Sequence, residues 1–337
     1  MDTLDEVSDP MREAIRKANP TLQDVHVDQV LTNISVAYMQ SQSVYVFPQV
    51  APIIPVSKQS DKYVIWDKGD WFRDEAQLRD DNTESVGSGY RLSRDSYFAD
   101  VWAFHRDVGS QIRANADAGI DLETGAVQFV TQRLLLRAEK QWSTDFFTTG
   151  IWGTDATPAT TWDDYTASDP IEDIETAKET ILSGTGLEAN TMVMGYQVWR
   201  KLRNHPDIVD RFKLVSGGQN ITTAQLAATF EIPRIFVAKA IINTGAVLNA
   251  SSGTNTMGFL FGKNCWIGHV APNPGPMIPS AMYTFAWDYV SGGLGQTIGI
   301  DSFDIRKTKT TRFEGEIAFD NKVVATDLGY FFSGAVS

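Results

Sequence analysis

The stretch IDLETGAVQFVTQRLLLRAEKQWSTDFFTTG, residues 120 to 150, constrains the fold more than any other. Val127, Val130, Leu134, Ala138, Trp142 and Phe146 recur at steps of three and four, which places them on one face of a helix. Gly150 offers a stop, since glycine takes the left-handed conformation that ends helices without a steric cost. From about 120 to 148 the helix would run roughly 40 Å at ~1.5 Å per residue. A helix of that length with one apolar stripe is a scaffold, and it needs a packing partner along its whole length.

A chain of 337 residues can bury a substantial core, and 42% hydrophobic with 21% charged residues excludes wholesale disorder. The formal net charge of −13 repels phosphates, which argues against sliding on nucleic acid and against an anionic membrane surface. Cys265 is the single cysteine, so no intrachain disulfide can form. The N-terminal MDTLDEVSDPMREAIRK carries no apolar signal core. The nearest approach to a membrane span, VYVFPQVAPIIPV, is broken three times by proline. These features predict a soluble protein made in a reducing cytoplasm.

Before the long helix, VHVDQVLTNISVAYMQ sets Val27, Leu31, Ile34 and Tyr38 at helical spacing. Pro48, Pro52 and Pro55 then predict an extended arm that is neither helix nor interior strand. An apolar arm without a sheet of its own points to a neighbouring subunit as its cover. DKYVIWD and SYFADVWAFHR alternate and are rich in β-branched and aromatic residues, so both read as strands of an antiparallel hairpin. Their connection, KGDWFRDEAQLRDDNTESVGSGYRL, is far longer than the usual ~2–5 residues, and such connections are usually functional.

After the helix, TDATPATTWDDYTASDP marks a boundary. Asp169, Pro170 and Glu172 form a helix start with the pattern of a capping box. Ile171, Ile174, Ile181 and Leu182 give that helix its apolar face. TMVMG reads as a buried strand and YQVWRKLRN as a helix stopped at His205–Pro206. TTAQLAATF is a further helix, and RIFVAKAI and FLFGKNCWIGHV are strands, the second interrupted at Gly262. The tail, SFDIRKTKTTRFEGEIAFDNKVVATDLGYFF, is β-rich, with a turn expected at Asp320–Asn321. The class is α+β, with an α/β unit inserted between the long helix and returning strands.

No constellation for chemistry emerges. The acids of residues 70–84 alternate with Arg73 and Arg79, so little desolvation separates their pKa values, and they lack the order of an EF-hand loop. His105 and Asp107 have no nucleophile motif beside them. Cys265 and His269 stand ~13 Å apart on a strand, too far for one metal ion. The glycines around Lys263 miss the phosphate-loop spacing, and Asn264 replaces its Ser or Thr. RKTKTTR, at 306–312, is the one basic run, and a lysine-guarded sheet edge accounts for it.

VHVDQVLTNISVAYMQ followed by VFPQVAPIIPVSKQSDKYVIWDKGDWFRDEA resembles the N-terminal arm and extended loop of tailed-bacteriophage major capsid proteins. TMVMGYQVWRKLRNHPDIVDRFK resembles the strand and helix of that family's axial domain. The resemblance runs in order from about Val25 to the C-terminal strands. It implies the HK97-type fold: an N-terminal arm over 1–58 and an extended loop over 59–106. A peripheral domain over 107–165 and 301–337 would hold the spine helix near 120–148, and an axial domain would cover 166–300.

The resemblance further implies a self-assembling, non-enzymatic shell subunit, forming pentamers and hexamers of an icosahedral head around double-stranded DNA, with no cofactor and no membrane. A separate scaffolding protein and a portal are implied partners, a decoration protein another, and the virion is the expected destination after assembly in the host cytoplasm. At the loop tip, Trp71, Phe72, Arg73, Asp74, Glu75 and Arg79 are expected to touch a neighbour. In the arm, Phe47, Pro48, Ile53, Ile54 and Pro55 are expected to pack. Lys62 and Lys68 lie where one branch of the family cross-links, with no partner asparagine indicated. The inner face of the shell is expected to be neutral to acidic. The rival readings are an encapsulin-like nanocompartment of the same fold and a carboxylate-dependent hydrolase using residues 70–84.

Overall fold

The computed structural model describes residues 40–116, 121–216, 221–245, 256–275, 277–290 and 298–337. The helix expected at Val27, Leu31, Ile34 and Tyr38 lies outside them.

The long helix, α1, runs from Leu122 to Phe146. Asp121 starts it by accepting from the backbone N–H groups of Glu123 and Thr124 at 3.1 and 3.0 Å, donors that a first turn otherwise leaves free. Its buried stripe is Ala126, Val130, Leu134, Ala138, Trp142 and Phe146, with one charged member, Glu139. Val127 is only half-buried.

Four strands precede α1: β1 (Ile53–Val56), β2 (Ser60–Trp66), β3 (Leu92–Phe98) and β4 (Asp100–Gly109). After it come β5 (Thr154–Ala156), β6 (Thr191–Gly195), β7 (Arg234–Ala238) and β8 (Ile241–Asn243). Next are β9 (Met257–Phe259), β10 (Cys265–Gly268) and β11 (Met282–Trp287). The last three are β12 (Ile300–Ile305), β13 (Thr310–Val323) and β14 (Gly329–Phe332). The other long helices are α2 (Pro170–Thr185), α3 (Tyr196–Leu202), α4 (Pro206–Ser216) and α5 (Thr223–Phe230).

The first sheet has the order β1-β11-β13-β12, with β4 also on β13. β13 is its axis, since it pairs with β4 from Thr310↔Gly109 to Phe319↔Asp100 and with β12 and β11 as well. α1 packs on this sheet closely enough that a Cβ at Gly315 would stand 2.8 Å from Leu134 Cδ1. Arg137 adds a cation–π contact 3.7 Å from the Trp102 ring centre.

The second sheet has the order β5-β14-β10-β6-β7. Met192, Val193, Met194, Cys265, Trp266, Ile267 and Phe331 are fully enclosed in it. Strands buried on both faces read as continuous apolar runs, which is why TMVMG stands out in the sequence. Asp169 caps α2 by accepting from the N–H groups of Ile171 and Glu172, and Gly186 ends it with φ 72°. Leu182, expected on the apolar face, is exposed.

Sheet membership crosses the boundaries expected at 166 and 300. β5 and β14 complete the second sheet from outside the inserted unit, while β11, inside it, belongs to the first. Pairing across a hundred or more residues leaves no mark in local spacing.

Two local expectations are corrected. β13 continues straight through Asp320–Asn321, and the turn lies at 306–309, inside the basic run. The polar pair is used within the sheet: Asp320 accepts from the N–H of Phe98 at 2.9 Å, and Asn321 bridges Thr284 and Asp145. Proline does not keep the arm out of regular structure either. Pro48 sits in the first turn of a one-turn helix, Phe47–Val50, where a missing N–H costs nothing. Pro55 lies in β1 at the sheet edge.

Nor does the arm need a neighbour to cover all of it. Tyr45, Val46, Phe47, Val50 and Ala51 are buried in the chain's own core.

Candidate functional site

The hairpin of β2 and β3 is built from the root outward. The two strands pair with each other in an unbroken register from Ser60↔Phe98 to Trp66↔Leu92, in a sheet of their own. At Ala99 the chain changes partners, leaving β2 for β13, and the Ala99 N–H donates to Gln59 O at 2.8 Å. The root is fixed by Tyr97, stacked 4.5 Å from Phe285, and by the bond from Phe98 to Asp320. Tyr63, 5.4 Å from the same Phe285 ring, donates to Asp95 at 3.0 Å. Burial and that carboxylate hold the Tyr63 hydroxyl far above its usual range.

The connection from 67 to 91 divides into a folded base and an open tip. Asp67 caps a one-turn helix, Lys68–Trp71, by accepting from Gly69 N. Asp70 accepts from the guanidinium and the backbone N–H of Arg91, and these bonds hold its carboxyl below the usual range. Arg91 also meets Asp67 at 2.9 Å. Trp66, Trp71 and Tyr90 pack as a trio with centroids 5.3 to 6.0 Å apart. Lys68 reaches Gly184 O at 3.1 Å and pairs with Asp327. A Cβ at Gly186 would meet the Phe72 ring at 3.6 Å. Lys68 and Phe72 thus rest on the chain's own α2.

Beyond this base, burial is scarce. Leu78 is 99% exposed and Val86 more than half, and on the base itself Phe72 stays 69% exposed, with Trp71 and Tyr90 each more than half exposed. Arg73 lies 3.8 Å from both Asp70 and Glu75, a weak pairing in solvent. Arg79 donates to Thr83 O at 2.7 Å and is spent on a local turn around Asn82, whose φ is 62°. Asp74 is exposed. Of the arm residues, Phe47 is core, Pro48, Ile53 and Ile54 are half-buried, and Pro55 is exposed.

The other candidates resolve into structural roles. Asp107 pairs with Arg312 at 2.8 and 3.1 Å, across the β4–β13 ladder, and not with His105. Cys265 is enclosed, and burial pushes its thiol far above the usual range. His269 Nδ1 lies 2.8 Å from Glu188 O. Gly262, at φ 57°, forms a turn so close to Gly195 that a Cβ there would overlap Gly262 O. Among the described residues no group of three or more His, Cys, Asp or Glu side chains could hold a metal ion, and no helix is long and apolar enough to cross a membrane.

Sequence reasoning missed the Asp70–Arg91 lock, because the two residues meet only when the connection folds back. It also missed Glu139. A signal existed there, since a carboxylate three residues before Trp142 and one after Ala138 interrupts an otherwise apolar stripe.

Comparison with known proteins agrees with this architecture. Residues 138–256 match the family model of phage major capsid protein E. A major capsid protein of Burkholderia phage BcepMu is 28% identical over 226 residues, covering 64% of this chain and 69% of that protein. A phage-related protein of Bordetella bronchiseptica superposes with a TM-score of 0.66 at 22% identity, over 92% of this chain and 97% of the other. The capsid structure of cyanophage P-SCSP1u gives 0.57 at 11% identity, over 93% and 94%. At these identities the superpositions speak for the fold.

Proposed function

We propose that the chain is a phage major capsid protein with the HK97-type fold, and that its copies close into an icosahedral head of pentamers and hexamers around double-stranded DNA. The observation that carries this is the hairpin tip. Leu78 and Val86 stand exposed beyond a folded base that itself leaves Trp71, Phe72 and Tyr90 more than half exposed, at the end of a two-stranded sheet that pairs with no other strand among the described residues. An apolar surface so presented gains free energy when another molecule covers it. A neighbouring subunit in the same lattice is always at hand.

Each such contact is small, and the lattice sums them. Weak individual contacts let misplaced subunits leave, while closure makes the whole stable. On this reading the tip residues Trp71, Phe72, Arg73, Asp74 and Glu75 lie in the seam between subunits. The two sheets correspond to the peripheral and axial regions, a scaffold and a portal guide closure in the host cytoplasm, and a decoration protein can sit on the outer face. The chain's acidity keeps the inner face from gripping the genome.

The test is microscopy and sedimentation of the purified protein, alone and with its scaffold. Capsomers or closed shells are expected. A protein that stays monomeric at high concentration in both conditions overturns the reading. Shells filled with a protein cargo and free of DNA would replace it with a nanocompartment.

A further inference from the structure

Glu139 is a fully buried carboxylate on α1, and among the described residues it makes no ion pair. Its partners are backbone donors of another segment. Val46 N lies 2.9 and 3.0 Å from its two oxygens, and Phe47 N lies 2.9 Å from Oε2. The same segment is held at two further points. Arg234 on β7 donates to Gln49 O. The side-chain amide of Gln40 both donates to Ile241 O and accepts from Ile241 N, at 2.8 and 3.0 Å, as a strand would. Residues 40–51 therefore touch α1, which packs on the first sheet, and β7, the edge of the second.

We propose that residues 40–51 are a strap bracing the β7 edge of the second sheet against α1, with the buried Glu139 carboxyl as a clasp that loosens as pH rises. Three fixings of different strength set the order of release. Arg234 and Gln40 offer bonds that water can replace. The clasp is enclosed, and opening it exposes Tyr45, Val46 and Phe47 together. A cleft of about 260 Å³ beside the strap, lined by Ser43, Gln49, Trp199 and Lys239, leaves room for the first displacement.

Among the described residues, the charged surroundings of the clasp are sparse. Tyr45 faces it from the strap, its hydroxyl pushed up to about 12 by burial and then by the carboxylate itself. On α1, Arg137 is engaged with Trp102 and Gln141, and Lys140 is exposed. On the sheet side, Arg234 is turned to Gln49 O and Lys239 lines the cleft. With no ion pair among the described residues to offset it, burial raises the Glu139 carboxyl from 4.5 to about 7, against the pull of the backbone donors of Phe47 and Val46.

The sign follows from linkage. The closed strap binds the proton more tightly than the open one, so closure is strongest below the ordinary carboxylate range and weakens as pH rises through about 7. Between pH 5 and pH 8 the closing equilibrium should fall on the order of fiftyfold.

Hydrogen exchange on the full chain reads this directly, with intrinsic rates corrected for pH. Protection of the Val46 and Phe47 amides should fall by that factor between pH 5 and pH 8 in the native protein. Glu139→Gln should abolish the pH dependence, and Arg234→Ala should lower protection while leaving it intact. The proposal is overturned if native protection does not change with pH, or if a folded Glu139→Gln retains the change. Should that variant not fold, the native and Arg234→Ala series still decide. The strap can fail while shells form, and shells can fail while the strap behaves as stated, since exchange is read on subunits as well as particles.

Discussion

Arg91 holds Asp70 through three bonds, two from its guanidinium at 3.0 and 3.2 Å and one from its backbone N–H at 2.9 Å. The contact joins the two ends of the long connection and gives the hairpin tip a folded base. Asp70 thus serves architecture, since the bonds from Arg91 hold its carboxyl below the usual range.

Replacing Asp70 with Ala should open residues 67–91 to protease and to hydrogen exchange without lowering the melting temperature of the two sheets. The pH dependence has a fixed sign. Bonds from Arg91 depress the Asp70 carboxyl, so their contribution is present above the ordinary value near ~3.9 and is lost as pH falls through the depressed one. Order in the tip should therefore persist at pH 5 and disappear in stronger acid.

Leu78→Ser and Trp71→Ala remove apolar surface that the subunit itself leaves exposed. Their effect on subunit stability should be small, within about 0.5 kcal/mol for Leu78, while the yield of particles in sedimentation falls. Equal losses in both measurements would show that the tip stabilises its own chain.

Gly315→Ala tests the contact between β13 and α1. Its Cβ would press on Leu134 Cδ1 at 2.8 Å and on Val130 Cγ1 at 3.1 Å, so a loss of about 1–3 kcal/mol is expected by denaturant melting. Introduced into a Leu134→Ala background, the same substitution should cost less than it does in the native chain, since the nearer of the two clashing side chains is gone.

Cys265 should resist alkylation in the folded protein at pH 8 and react fully once unfolded. Burial both blocks access and keeps the thiol protonated. Reaction at the same rate in both states would mean that β10 opens readily.

The sequence by itself determined the elements whose signal is local. The stripe from Val130 to Phe146 required α1, Asp169 and Pro170 began α2, TMVMG could only be a buried strand, and alternation marked β2, while SYFADVWAFHR, read as its hairpin partner, covers only the end of β3 and runs on into β4. The motif around Asp67 to Glu75 carried the resemblance to capsid proteins. Tertiary structure decided which segments became neighbours. It sent β14 and β5 to the second sheet and β11 to the first, carried β13 through Asp320–Asn321, and folded the arm onto its own chain. It spent Arg79 on a local turn and Arg91 on Asp70. It also buried Glu139 beneath Val46 and Phe47, across 93 and 92 residues of chain. The physical reason is range. Helix periodicity, capping and strand alternation act over a few residues and are written in spacing, whereas pairing and burial are settled by competition among all surfaces of the folded chain.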